Sequence, residues 1–417
     1  MTYLININFI QNLNWLISTV LMIGLVSVIF WQKQAILSIF DIFNVLSEGK
    51  EWASQLKTPE DVLEYIITHP NDVSLVARDT GNSEQEIFYN ADTPRPLAST
   101  IKVLVLAEYA RQVENGILLP EELINLDDIE LYYLPRTDGD AHPSAITEFR
   151  QKQYINSHNQ VELRHIPRAM IKHSDNAATD YLILRLGRKN LENLVSGLSL
   201  KNQDVPAPII GQILTWSNHT FTDTPTERLN KYLASQSTYI EEVYRWTEVW
   251  HHSEEFRDKQ IKHITSQQWL KLKEQQAMAQ ALNGKGTASA YAQIMERVYR
   301  GLLISPGADK IMRQYLEWAM ELSSNQQELD TFGAKNGSLA SILTEAWYLK
   351  PARTTNTRVA ALFVENIPAG AWFSLVQTYT HQAFLYRLLT DENFFNIVRE
   401  KLLELAMDKT DITDRLL

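Results

Sequence analysis

Ser99 and Lys102, three positions apart, are the pair in this sequence best suited to make a nucleophile. They open an apolar run, Val103, Leu104, Leu106, Ala107, Tyr109, Ala110 and Val113, that ends at Gly116 and reads as a helix buried on nearly all sides. Residues three apart at a helix start share a face about one turn apart, so the amine can reach the hydroxyl. A lysine desolvated in such a helix loses proton affinity and can act as base for a serine that is a poor nucleophile alone. The spacing by itself is weak, since a serine three before a lysine arises by chance about once or twice in a chain this long. It recurs at Ser47 and Lys50, among polar residues beside Gly49, where no buried helix would depress the amine. The Ser99 copy is set apart by two later stretches: His173-Ser174-Asp175-Asn176 ahead of a second apolar helix, and Ala334-Lys335-Asn336-Gly337-Ser338 between strand-like runs.

These groups need a scaffold, and the chain is long enough to supply one. It has 417 residues, 45% of them apolar, so it can bury a large core. A net charge of −11 with no Lys/Arg block argues against nucleic acid as a partner. The absence of cysteine excludes disulfides, thiolate metal sites and a cysteine nucleophile. The ten histidines show no metal-ligand spacing, so no metal is expected.

Residues 1–32 carry no charged side chain, and Trp15 to Trp31 forms an apolar run that would extend about 26 Å as a helix. With no Lys or Arg at its start and no small-x-small site after it, the run predicts an uncleaved single-pass anchor rather than a cleaved signal. Residues 33–57 read as an amphipathic stalk or linker. Thr58-Pro59-Glu60-Asp61 is a helix start, with a capping threonine, proline at the first helical position and acids in the first turn. The globular domain, residues 58–417, is expected to begin there.

Val73–Ala77 and Glu86–Tyr89 flank an Asp79-Thr80-Gly81-Asn82 turn and predict a hairpin. The Ser99 helix and a mostly helical middle follow, in which 202–286 is an enlarged helical insertion rich in tryptophan. Thr331–Leu339, Ile342–Leu349 and Arg358–Val364 read as three strands, and a last helix lies near Phe394–Ala406. One sheet assembled from both ends of the domain accounts for this order.

The Ser-x-x-Lys, Ser-Asp-Asn and Lys-x-Gly stretches, in that order, resemble the serine β-lactamase and penicillin-binding-protein superfamily, and the element order is most similar to the class A β-lactamases. The resemblance, over about residues 60–406, implies an α+β fold: an antiparallel sheet flanked by helices, with an all-helical subdomain and the active site between them. It implies that Ser99 attacks an amide carbonyl and is acylated, with Lys102 as base or proton relay. Ser174 would pass a proton to the leaving nitrogen. Asn176 would hold the substrate's amide side chain and the lysine, Lys335 would attract its carboxylate, and the backbone N–H groups of Ser99 and Ser338 would form the oxyanion hole.

Two departures from the pattern matter. Asn336 stands where the family has a threonine or serine, so a hydroxyl that helps bind the carboxylate is replaced by an amide. The glutamate of the class A E-x-x-L-N loop, which activates the deacylating water, has no full counterpart. The nearest match is Thr226-Glu227-Arg228-Leu229-Asn230, with Glu227 one residue late.

With the resemblance, the sequence supports a membrane-anchored, class A-like serine hydrolase that is acylated at Ser99 and hydrolyses β-lactams, requiring no metal or organic cofactor. The alternatives are a D-alanyl-D-alanine carboxypeptidase or transpeptidase of the penicillin-binding type, acting on peptidoglycan peptides, and a tethered non-catalytic binding protein on the same fold. The family's substrates imply a bacterial inner-membrane protein with its domain on the periplasmic or outer side.

Overall fold

The structure, a computed structural model, describes residues 47–266 and 269–414. The chain opens with α1 (Lys50–Gln55) and α2 (Pro59–Thr68), then β1 (Val73–Asp79), β2 (Asn82–Tyr89) and the short β3 (Arg95–Pro96). A 3₁₀ turn, Ala98–Ile101, leads directly into α3 (Lys102–Glu114). The helical half continues with β4 (Leu123–Asn125), α4 (Leu126–Glu130), α5 (Ala141–Gln151), β5 (Gln160–Glu162), α6 (His165–Arg168), a π turn (Ala169–His173), α7 (Asn176–Leu186) and α8 (Arg188–Gly197). The insertion supplies α9 (Ile209–Trp216), α10 (Pro225–Leu233), α11 (Gln236–His252), α12 (Glu254–Thr265) and α13 (Leu272–Leu282). The chain then returns through β6 (Lys285–Gly286), α14 (Ala288–Arg300), α15 (Pro306–Leu316) and α16 (Ser323–Glu328) to β7 (Leu329–Leu339), β8 (Ile342–Pro351) and β9 (Arg358–Val364). It ends in α17 (Ala369–Thr378), α18 (Thr380–Thr390) and α19 (Glu392–Asp414).

The main sheet is antiparallel throughout, in the order β2-β1-β9-β8-β7. The early hairpin therefore joins the late strands through β1 against β9, with Val76 opposite Ala361. Side chains alternate across it. Val76, Ala346, Tyr348, Val359, Ala361 and Phe363 face a core shared with α3, α7, α14 and α15. Leu75, Leu343, Trp347, Leu362 and Val364 face the other core, closed by α2, α18 and α19. A third core holds the insertion together around Trp216, Tyr232, Tyr239, Val243 and Met278, and extends to Ala98 and Ile342 at the base of the cleft. Trp246 and Trp250 are also buried, so these tryptophans of the insertion are core residues.

The α+β part of the expected fold class stands, and the membrane part requires correction. No described helix is long and apolar enough to cross a membrane. The longest, α19, carries Arg399, Glu400, Lys401 and Glu404, charges that would be costly in hydrocarbon. The span expected over residues 1–32 lies outside the described residues. The transmembrane helix, the membrane partner and the single-pass inner-membrane placement are accordingly withdrawn.

Residues 47–57, expected as the end of a stalk, pack on the domain; residues 33–46 lie outside the description. Leu56 is fully buried, Trp52 stacks edge-on to Tyr65, and Gly370 N donates to Glu48 O at 2.9 Å. The helix start at Thr58 forms as its sequence dictates: Thr58 Oγ1 accepts from Asp61 N, and Asp61 Oδ2 accepts from Thr58 N at 2.7 Å.

Candidate active site

Ser99 sits in the 3₁₀ turn, not in the helix proper, and Lys102 is the first residue of α3. Three contacts fix that turn. Leu97 N donates to Gly284 O at 2.9 Å, Ala98 N donates to Asn283 Oδ1 at 2.9 Å, and Thr344 Oγ1 donates to Leu97 O at 2.8 Å. Thr100 and Thr344 share a further short hydroxyl contact. Ala98 is held at φ 47, a left-handed conformation that a non-glycine residue keeps only where its surroundings impose it. Gly337 on β7 lies so close that a Cβ there would stand 2.7 Å from Ser99 N and 2.9 Å from Leu97 O. The edge strand thus presses its backbone against the turn carrying Ser99.

The second stretch follows the π turn, a backbone irregularity often found at functional sites. Ser174 is left-handed, at φ 63 and ψ 28. Asp175 caps α7 by accepting from Ala178 N at 3.1 Å, and its other oxygen lies 2.9 Å from His142 Nδ1. Asp175 fixes the turn, and the strained Ser174 is aimed by it.

Lys102, 0% exposed, directs its amine to Ser174 O at 2.5 Å, Asn176 Oδ1 at 2.8 Å and Ser174 Oγ at 3.3 Å. Lys335, 1% exposed, reaches the same Ser174 Oγ at 3.1 Å and Asn336 O at 2.8 Å. Ser174 Oγ is therefore held between two buried amines. Burial lowers the Lys102 pKa to about 8, although Asp175, Asp180 and Asp138 pull the other way. Burial and the neighbouring Lys102 charge push Lys335 well down. The direct Ser99–Lys102 hydrogen bond expected from the spacing is not made, because the amine is turned to Ser174 and Asn176. Catalytic hydrogen bonds commonly tighten only once substrate is bound.

Asn336 and Ser338 lie exposed on β7, which is the sheet edge, and Trp372 Nε1 donates to Ser338 Oγ at 3.2 Å. Glu227 is placed differently. It belongs to the capping box of α10, where its carboxylate accepts from Thr224 N at 2.8 Å, and that backbone hydrogen bond holds its pKa below the usual range. The site thus brings together Ser99, Lys102, Ser174, Asn176, Lys335, Asn336 and Ser338, while Glu227 serves a helix start. Sequence reasoning missed Asp138, Asp180, His142, Asn283 and Thr344. Their only signals were polar residues inside otherwise apolar runs or beside glycine.

The profile of the β-lactamase enzyme family matches residues 58–370, about three quarters of the chain. The chain belongs to that family. Solved structures to which the chain is similar include a β-lactamase from Sphaerobacter thermophilus, at 14% identity over 78% of this chain and 95% of the other, with a TM-score of 0.47. A class A β-lactamase from Mycobacterium abscessus shares 12% identity over 80% of this chain and all of the other, at a TM-score of 0.46. The structure of PBP-A shares 16% identity over 78% of this chain and 96% of that one, at 0.44. A search of curated proteins returns no match. Within the β-lactamase family fold, the serine β-lactamase and penicillin-binding-protein superfamily assignment stands.

Proposed function

We propose that this β-lactamase-family protein is a serine hydrolase that forms an acyl-enzyme at Ser99 with β-lactam amides. The observation that carries the reading is the Lys102–Ser174–Lys335 array beside the Ser99 turn: two buried amines on one hydroxyl. Lys102, neutral above about pH 8, takes the Ser99 proton as Oγ attacks the carbonyl carbon. Ser174 Oγ passes a proton to the leaving nitrogen, and the remaining Lys335 charge draws the substrate carboxylate toward Asn336 and the β7 edge. The backbone N–H groups of Ser99 and Ser338 receive the oxyanion, a pair of aimed donors worth several kcal/mol.

A second reading, a D-alanyl-D-alanine carboxypeptidase or transpeptidase that β-lactams inhibit, is favoured by the position of Glu227. That carboxylate is engaged at the start of α10, where it accepts from Thr224 N at 2.8 Å. The lifetime of the penicillin adduct separates the two. Loss of the adduct within seconds supports the hydrolase, whereas an adduct stable for hours supports the penicillin-binding enzyme.

A further inference from the structure

Ser174 lies between two residues that are both tied to α5. After it, Asp175 meets His142 near the start of that helix at 2.9 Å. Before it, His173 Nε2 donates to Glu148 Oε2, six residues further along the same helix. Glu148 gathers more than that one bond. Its Oε1 accepts from Arg168 Nε at 2.8 Å and Nη2 at 2.7 Å and lies 3.3 Å from Lys152 Nζ, while its Oε2 takes Lys172 Nζ at 3.0 Å together with His173. Arg168 and Lys172 also reach Glu321, at 2.6 Å and 3.3 Å, in the 3₁₀ turn Glu317–Glu321. Glu148 is 8% exposed. Burial alone would raise its pKa, but the hydrogen bonds from Lys172, Arg168 and His173 outweigh burial and hold the carboxyl well below its usual range.

Lys172 and His173 are consecutive, and their side chains end on the same oxygen. The backbone between them cannot rotate without giving up one of the two bonds. Ser174 follows at once in the left-handed region, at φ 63, with its N–H donating to Ala169 O. A non-glycine residue keeps such a conformation only where its surroundings over-determine it. His142 on one side and Glu148 on the other supply that constraint.

We propose that Glu148 is a positioning residue for Ser174, acting through His173. The inference rests on the acyl-enzyme reading above. In that reaction Ser174 gives its hydroxyl proton to the departing nitrogen and takes one from Lys102, which had received it from Ser99, so no proton is gained or lost. Ser174 Oγ must therefore stay within reach of both the nitrogen and Lys102 Nζ, which lies 3.3 Å from it. A hydroxyl misplaced by about 1 Å costs about 100-fold in rate. Lys335 and Asn336, which draw the substrate carboxylate, stand on β7, a separate element. Loss of the Glu148 anchor should therefore slow the chemical step and leave binding in place.

The test is acylation of the full-length protein by a labelled penicillin, with the limiting rate and the half-saturating concentration measured separately for wild type, Glu148→Gln, Ser174→Ala and the double variant. The proposal predicts a limiting rate in Glu148→Gln lower by about tenfold or more, with half-saturation within about twofold of wild type. On the Ser174→Ala background, Glu148→Gln should add no further loss. A loss below about threefold overturns the inference, as does a loss that repeats in full once Ser174 is gone. A purely structural role would also raise the half-saturating concentration. If Glu148→Gln does not fold, His173→Phe is read in the same way, since it keeps a ring at 173 and leaves Glu148 to Arg168 and Lys172. Absence of any adduct in wild type would refute the acyl-enzyme reading itself, a result distinct from the others.

Discussion

Gly337→Ala is the substitution whose effect follows most directly from the geometry. Gly337 is not in the left-handed region, so the constraint is space. The added Cβ would meet Ser99 N at 2.7 Å, Leu97 O at 2.9 Å and Thr344 Oγ1 closer still. To reach an ordinary contact of 3.4 Å, the Ser99 backbone would have to retreat by about 0.7 Å. The turn has little freedom to do so, being tied by Leu97 to Gly284 and by Ala98 to Asn283. A displacement approaching 1 Å at a reacting centre costs about 100-fold in rate, equivalent to about 2.7 kcal/mol of barrier. Overpacking of this kind costs about 1–3 kcal/mol of stability. Stopped-flow acylation with a fluorescent penicillin should therefore show Gly337→Ala slowed about 100-fold, with near-UV circular dichroism unchanged. A rate within threefold of wild type would refute the argument that the β7 backbone sets the position of Ser99.

Acylation should rise with pH through an acid limb centred near pH 8, where Lys102 becomes neutral, and a limb centred near pH 10 would remove the case for a desolvated base. The same shift carries a stability consequence: because the folded Lys102 pKa lies below its ordinary 10.5, its protonated form destabilises the fold, and this penalty is relieved between about pH 8 and 10.5. Urea midpoints in wild type should accordingly gain more over that interval than in Lys102→Met. Asn283→Ala strips the acceptor from Ala98 N and should cost about 1–2 kcal/mol of stability while slowing acylation, measured by thermal melting and by the same stopped-flow assay. Glu227→Gln should leave both acylation and adduct lifetime within twofold of wild type, and a longer lifetime would restore it as the deacylation base.

Much of this site was legible because its parts are local. The Thr58 cap, the three late strands and the two helices after Ser99 and Asn176 each announce themselves in a few residues, and the order of three short motifs identifies the superfamily. What could not be read depends on approaches between distant segments. The orientation of the Lys102 amine toward Ser174 is set by the π turn and the His142–Asp175 pair, which no spacing in sequence records. The insertion reads only as polar helices, yet Asn283 and Gly284 at its end hold the Ser99 turn. Sequence reading does not assign α17 and α18, which bury Leu375, Phe384, Leu385 and Leu388 beneath the sheet in a pattern shared with neighbouring loops. Residues 47–57 look like linker because part of what ties them down lies more than 300 residues away: Ser374 Oγ donates to Ala53 O at 3.2 Å and Gly370 N to Glu48 O at 2.9 Å.

The central claim is that Ser99 is the residue acylated. Incubating the full-length wild type and Ser99→Ala with a labelled penicillin, then mapping the label by peptide mass, tests it most directly. The account predicts one added acyl group on the wild-type peptide that contains Ser99 and none on Ser99→Ala. Label on another residue, or equal labelling of both proteins, would contradict it.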